Sequence, residues 1–158
     1  MIRSGIGYDV HRLEKDRRLI LGGIDISHSH GLTGHSDADV LSHAIADALL
    51  GAICAGDIGH HFPNTDESIR GISSLDILKR VTELLREQKA RPVNVDATII
   101  AEAPKLAPHI PAMRKKIAKA IGVSDLHVSI KATTHELLGA IGRGEGIAAM
   151  AVATVEVE

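Results

Sequence analysis

The sequence predicts an α/β protein, a two-layer sandwich with a mixed sheet and helices packed on one face. Three observations carry that expectation. Strand-like and helix-like segments alternate along the chain, the pattern that places helices against a sheet. Hydrophobic residues make up 44% of 158 positions and charged residues 24%, enough to build a buried core and too apolar for a disordered chain. Tyr8 and Phe62 are the only aromatic residues. The core is therefore assembled from Ile, Leu, Val and many Ala, a composition that lets helices approach a sheet closely. The length fits one domain spanning residues 1–158.

Element by element, residues 2–9 and 18–24 have strand character, the second broken by the turn pair Gly22-Gly23. Residues 25–35 are polar and glycine-containing, which predicts a loop. Ser36, with Asp39 three positions later, has the spacing of a capping box and predicts a helix running to about Ala55. Its apolar stripe is Ala38, Leu41, Ile45, Leu49 and Ala52, while Asp39, His43 and Asp47 recur on the other side. A long loop is expected over 56–71, where Gly, Pro, Asn and Asp interrupt any periodicity. Helices are expected over 73–88 and 108–121, and strands over 93–101, 126–132 and 148–157, the last alternating Val155 and Val157 with Thr154, Glu156 and Glu158.

Composition excludes several classes of function. The formal charge of −2 argues against general affinity for nucleic acid or an anionic membrane, and two aromatics provide no stacking platform for single strands. Cys54 is the single cysteine, so neither an internal disulfide nor a thiolate cage is available. The chain has no apolar run of membrane-spanning length and no signal-peptide pattern at Met1-Ile2-Arg3-Ser4-Gly5. A cytoplasmic protein with no nucleic-acid or membrane partner is the expectation.

Ten histidines exceed what such a protein needs. Asp9-Val10-His11 places a carboxylate and an imidazole two residues apart on a strand, hence on one face, as two ligands for a borderline metal such as zinc. His43 is the natural third ligand, with Asp47 or Asp39 as the carboxylate orienting it. Three protein ligands with an open position describe a catalytic metal site, although D-x-H taken alone is more often a solvent-exposed pair on a strand end. Gly34-His35-Ser36-Asp37-Ala38 lies at a loop-to-helix junction, where unpaired N–H groups suit phosphate. The alternative there is a degenerate nucleophile elbow, which lacks the last glycine. Residues 56–66 form a candidate binding loop. Lys131-Ala132-Thr133-Thr134-His135-Glu136 and Gly142-Arg143-Gly144-Glu145-Gly146 bring hydroxyls, a carboxylate and an arginine suited to phosphates and a hard cation. Neither a Walker A sequence nor a dinucleotide-binding glycine fingerprint is present.

In their order along the chain, Gly7-Tyr8-Asp9-Val10-His11-Arg12, His35-Ser36-Asp37-Ala38-Asp39-Val40, His43, Gly56-Asp57-Ile58-Gly59, Ala103-Pro104-Lys105, Lys131-Ala132-Thr133-Thr134 and Gly142 to Ala148 resemble the 2-C-methyl-D-erythritol 2,4-cyclodiphosphate synthase family of the non-mevalonate isoprenoid pathway. The resemblance covers essentially the whole chain. It implies a homotrimer with active sites between subunits, and a phosphorus–oxygen lyase that cyclises 4-diphosphocytidyl-2-C-methyl-D-erythritol 2-phosphate with release of CMP. It implies zinc on Asp9, His11 and His43, and magnesium or manganese as a second divalent cation on Glu136. His35 and Thr134 would be the catalytic positioning residues, His35 and Ser36 contacting phosphate. Asp57, Ile58, Gly59, Phe62, Pro63, Asn64, Thr65 and Asp66 would surround the methylerythritol phosphate. Ala101, Glu102, Ala103, Pro104, Lys105, Leu106 and Ala107, with Thr133, Thr134, His135 and Glu136, would face the cytidine and diphosphate.

The chain departs from the family at Ala140, where many relatives carry an aromatic residue lining an apolar cavity on the trimer axis beside the arginine matching Arg143, and at His135, usually Thr or Asn. Two other readings use the same residues: a zinc-dependent phosphohydrolase acting through metal-bound water, and a small nucleotide- or metal-binding module without turnover.

Overall fold

The first strand sets the frame. In a computed structural model describing residues 1–158, β1 (Ile2–Lys15) pairs antiparallel with β7 (Gly146–Val157) from Ile2↔Glu156 to Arg12↔Gly146. Beyond Arg12 it continues against β4 (His30–Leu32), which is why it is longer than the 2–9 expected: two different neighbours satisfy its backbone in succession. β7 pairs antiparallel with β5 (Ala90–Ile100), and β5 pairs parallel with β6 (Val128–Thr133). The result is a five-stranded mixed sheet in the order β4-β1-β7-β5-β6. The segment 18–24 folds as two short strands, β2 (Leu19–Leu21) and β3 (Ile24–Ile26), because Gly22 and Gly23 both adopt positive φ and turn the chain back on itself.

Three long helices, α1 (Val40–Ala52), α3 (Ser74–Glu87) and α4 (Ile110–Ile121), form the second layer, with α1 against β1, β7 and β5, and α3 between α1 and α4. The expected loop 56–71 contains a one-turn helix, α2 (Ile58–His61), and a 3₁₀ turn at Glu67–Ile69. A second short helix, α5 (Gly139–Gly142), precedes β7 and was not foreseen. No helix is long and apolar enough to cross a membrane.

The helix start also differs from expectation. Asp39, not Ser36, is the N-cap of α1, its carboxylate accepting from Ser42 N. Ala38 sits at positive φ immediately before, which a helix cannot accommodate. The helix ends at Ala52 rather than Ala55, and Cys54 and Gly56 follow it at positive φ.

Alternation along β1 gives the strand two faces. Gly5, Gly7, Asp9 and His11 turn toward the helices, while Ile6, Tyr8 and Val10 are exposed on the opposite side. The two glycines exist for α1: a Cβ on Gly5 would stand 2.1 Å from Ala48 O, and one on Gly7 1.9 Å from Ala44 O. On the helix-facing side of β7 the buried side chains are Ile147, Ala149, Ala151, Ala153 and Val155, mostly small enough to let the same helix lie close. Leu41, Ile45, Leu49, Leu78, Met113 and Ile117 fill the remaining core.

Because no side-chain rotation can relieve a contact between a Cβ and a helix carbonyl, Gly7→Ala should lift α1 off the sheet. Overpacking of a tight core typically costs about 1–3 kcal/mol, and this backbone-to-backbone case belongs at the upper end. Urea unfolding should show a lowered midpoint; an unchanged midpoint would mean that the helix is free to shift.

Candidate metal centre and the recesses around it

Packing α1 on the glycines of β1 brings His43, in the first turn of the helix, over the next two inward positions of the strand. Asp9 Oδ2 lies 3.0 Å from His11 Nε2 and 3.0 Å from His43 Nδ1, and the two ring nitrogens are 3.1 Å apart. The three donor atoms thus form a nearly equilateral triangle, the only such cluster of metal-ligating side chains in the chain. Tetrahedral zinc with bonds of about 2.0 Å has ligand–ligand edges of about 3.3 Å, close to these separations. One carboxylate and two imidazoles are the donor types of catalytic zinc sites, so the residues present fit a divalent metal.

Burial raises the Asp9 pKa, but hydrogen bonds from His11 and His43 and their charges outweigh it, and the carboxyl is held well below the usual carboxylate range. An anionic ligand is thereby maintained under ordinary conditions.

His43 is buried. Its other nitrogen, Nε2, lies 2.9 Å from Ser74 Oγ and 3.0 Å from Ser36 Oγ. Neither Asp39 nor Asp47 orients it, contrary to the sequence expectation. Asp39 is fully buried and accepts from Gly22 N, Gly23 N, Ser42 N and Ser42 Oγ, joining the β2–β3 turn to the start of α1. Desolvation raises its pKa against the hydrogen bonds from Ser42 and Gly22. Asp47 accepts from Ile58 N at 2.7 Å and fastens α2 to α1. What periodicity displays as a polar stripe is a set of three inward-turned groups with separate partners. At the start of α1 the Asp39 carboxylate engages Ser42 N, and the side chains of His35 and Ser36, expected to contact phosphate, line the cavity over the donor triangle.

A cavity of about 360 Å³ opens over the donor triangle, walled by Gly34, His35, Ser36, Ile58, Gly59, Phe62, Asn64, Ile69, Ile72 and Ile77. His35 Nε2 donates to Asp66 O at 3.2 Å, and Asp66 caps the 3₁₀ turn through Ser68 N. Asp57 caps α2 by accepting from His60 N. Pro63 and Thr65 are exposed and do not line this cavity.

The residues expected on the nucleotide side gather elsewhere. Ala101, Glu102, Pro104, Lys105, Leu106 and Ala107 line a separate recess of about 270 Å³ with Ala132, Thr133 and Thr134; Ala103 is not among them. Glu102 accepts from His135 N and Leu137 N, anchoring the loop in which Glu136 and Leu137 take positive φ. Glu136 is exposed and lies outside the Asp9–His11–His43 cluster. Ala140 lines a third, shallower recess with Val10, Arg12 and Ile141, beside the Arg143–Glu145 pair. Within one chain no residue is shared between the first two recesses.

Ser74 and Asp37 are the site residues that sequence reasoning missed in these roles. Ser74 opens α3, 31 positions from His43, and no spacing rule links the two.

Fold and centre together define an α/β protein built around a candidate divalent-metal site. The chain belongs to the YgbB family, whose model matches residues 2–156, and it is an enzyme of the cyclodiphosphate synthase type. It is 58% identical over 154 residues to the 2-C-methyl-D-erythritol 2,4-cyclodiphosphate synthase of Alkaliphilus metalliredigens, covering 98% of this chain and 97% of that one. Among solved structures, the bifunctional IspDF of Campylobacter jejuni superposes with a TM-score of 0.95 at 38% identity, over all of this chain and 43% of that larger protein. IspF of Plasmodium falciparum, in complex with CDP, superposes with a TM-score of 0.86 at 31% identity, covering 99% and 97% of the two chains.

Replacing Asp39 by Ala removes a helix cap, worth about 0.5–2 kcal/mol, and strands the buried N–H groups of the β2–β3 turn, at about 1–3 kcal/mol for an unsatisfied group. The expected outcome is a loss of about 2 kcal/mol or more in denaturant unfolding. A loss confined to a few tenths would show that water replaces the carboxylate.

Proposed function

We propose that this chain converts 4-diphosphocytidyl-2-C-methyl-D-erythritol 2-phosphate to 2-C-methyl-D-erythritol 2,4-cyclodiphosphate and CMP. An oxygen of the 2-phosphate attacks the β-phosphorus, a new P–O–P bridge forms, and the bond from the β-phosphorus to the CMP oxygen breaks with its electron pair leaving on CMP. The observation that carries this reading is the Asp9–His11–His43 donor triangle at the base of a cavity in a chain of this family.

The chemical difficulty is the approach of two anions. Zinc held by Asp9, His11 and His43, and magnesium or manganese on Glu136, would withdraw charge from the diphosphate oxygens. The chain's own residues supply position. His35, fixed by Asp66 O, presents its ring at the cavity wall, and Ser36 lies beside it. Gly59, Phe62 and Asn64 bound the space for the methylerythritol, with Asp57, Ile58, Pro63, Thr65 and Asp66 shaping the surrounding loop. Thr133 and Thr134, with the 101–107 segment, form a recess suited to the cytidine end, and Lys105 adds a cationic group to its wall. No side-chain nucleophile is required, because a tethered phosphate in a near-attack geometry supplies the reactivity.

We also assign the functional unit as a homotrimer. Two facts support it: the two recesses are separate in one chain, and Ile2, Ile6, Tyr8, Val10, Met150 and Val152 leave a contiguous apolar patch on the outer sheet face, with Ile6 opposite Val152 and Tyr8 opposite Met150. Patches of that kind mark association surfaces. A soluble cytoplasmic enzyme is the corresponding location.

Light scattering should give a mass of about three subunits, in keeping with closed cyclic assembly. Ile6→Glu, which puts a charge at the centre of the patch, should yield monomers and abolish turnover; a fully active monomer contradicts a shared site.

Cyclisation and hydrolysis separate by isotope. Effective molarities for well-oriented intramolecular attack reach roughly 10⁵ M, far above any competing water. Turnover in ¹⁸O-water should therefore leave both CMP and the cyclic product unlabelled. A ring-opened product carrying one solvent oxygen would replace this reading with a metal-dependent phosphohydrolase.

A further inference from the structure

A polar chain leads away from the metal centre through the buried His43 and Ser74 to the half-buried carboxylate of Asp37. We propose that Ser74, backed by Asp37, is a positioning residue that holds the His43 ring with Nδ1 aimed into the donor triangle and the proton on Nε2. The inference rests on the metal reading above and adds the device that prepares one of its ligands.

The direction of each hydrogen bond follows from what the atoms can do. The Asp37 carboxylate can only accept. Ser74 Oγ is hydrogen-bonded to Asp37 Oδ1, and because that carboxylate only accepts, the single hydroxyl proton of Ser74 points there. That leaves a lone pair of Ser74 Oγ facing His43 Nε2 at 2.9 Å, and the nitrogen must be the donor. With Nε2–H committed to Ser74, a metal that displaces the proton shared between Nδ1 and Asp9 Oδ2 takes the Nδ1 lone pair, and it is Nδ1 that lies 3.0 Å from Asp9 Oδ2 and 3.1 Å from His11 Nε2. Asp37 is itself pinned, accepting from Ser74 N at Oδ2 and from Asp39 N at Oδ1. The sequence of donors is Nε2–H to Ser74 Oγ–H to a fixed carboxylate.

Ser36 Oγ also approaches Nε2, at 3.0 Å. It accepts from Ala38 N and has no carboxylate behind it, so it lacks the polarisation that Asp37 gives Ser74. Ser74 is wholly buried, which keeps water from substituting for its hydroxyl. Ligating histidines almost always donate their second N–H to a carboxylate, carbonyl or water, and removing that partner typically weakens metal binding about 10- to 100-fold. Here a serine stands between ring and carboxylate, and the charge acts one bond further out.

The test measures zinc dissociation constants of the purified full-length protein by competition with a chromophoric chelator, and, separately, thermal unfolding of the metal-free protein. Ser74→Ala should raise the dissociation constant about 10- to 100-fold in protein whose metal-free melting curve, although lowered by the lost buried hydroxyl, still shows one cooperative folded state at the assay temperature. Ser74→Thr, which keeps the hydroxyl, should restore binding to within about threefold of the parent, and Ser36→Ala should cost less than Ser74→Ala. In the zinc-loaded parent, the His43 Nε2 proton should be visible by NMR and slow to exchange, and Ser74→Ala should speed its exchange. Parent-like zinc affinity in Ser74→Ala, or failure of Thr to rescue a weakened site, overturns the proposal. Should Ser74→Ala not fold, Asp37→Asn carries the same test, since it keeps an acceptor oxygen and removes the charge; unchanged affinity there overturns the relay. His43→Ala is the control for the underlying reading: zinc retained in that variant removes His43 from the metal site, an outcome distinct from a relay that makes no difference.

Discussion

Backbone against backbone is the contact on which the rest depends. Helix α1 rests on β1 through two glycines, with carbonyls of the helix occupying the volume where side chains would be. Nearly everything functional in the chain follows from that short distance. A helix lying so near the strand has its first turn directly over the next inward positions, and His43 consequently meets Asp9 and His11 rather than a layer of intervening aliphatic groups. The alanines of β7 extend the same tight seam across the sheet. With so few aromatics to fill gaps, closeness is the only way this composition reaches interior density.

The polar groups in the interior are distributed with the same economy. Asp37, just before α1, Asp39 at its N-cap and Asp47 within it each answer a different structural need: Ser74 of α3, a hairpin turn and helix start, and the short helix α2. Each carboxylate is anchored to main-chain N–H groups, so the buried Asp39 and the half-buried Asp37 and Asp47 are stabilised by fixed dipoles instead of by a mobile counter-ion. No buried side-chain nitrogen or oxygen lacks a partner. Only Asp9, held anionic by its two imidazole neighbours, keeps an orientation toward open space, and it does so where a cation would be welcome.

Much of this was legible in the residues themselves. The two-residue spacing of Asp9 and His11 determines that they share a face of a strand, and the amphipathic run after residue 40 places His43 within a helix. Alternating elements indicated the layers, and the joint order of short motifs indicated the family. What sequence could not reveal was partnership across distance. Asp39 has the same spacing from His43 as Asp47 does, and periodicity assigns them one role; only the path of the β2–β3 turn shows that Asp39 belongs to Gly22 and Gly23. Ser74 looks like an ordinary first residue of a helix until α3 is seen crossing behind His43. The start of α1 was misplaced because a capping-box spacing from Ser36 ignores Ala38, whose left-handed backbone interrupts the helix. Strand β1 was cut short because its last residues exchange one neighbour for another, which no local pattern records.

The two-faced character of β1 has a consequence for how this protein tolerates change. Because side chains alternate strictly, the parity of a residue decides whether it meets α1 or faces outward. Inserting or deleting a single residue in the first half of the strand would exchange the faces: Tyr8 or Val10 would be driven toward His43, and a carboxylate or an imidazole would be set among Ile6, Met150 and Val152. The glycines would move out of step with the helix at the same moment. A substitution at any one of these positions injures one property, whereas a frame change in this strand would dismantle helix seating, donor triangle and outer apolar face together. Length variation in this chain is therefore expected in its loops and excluded from its first ten residues.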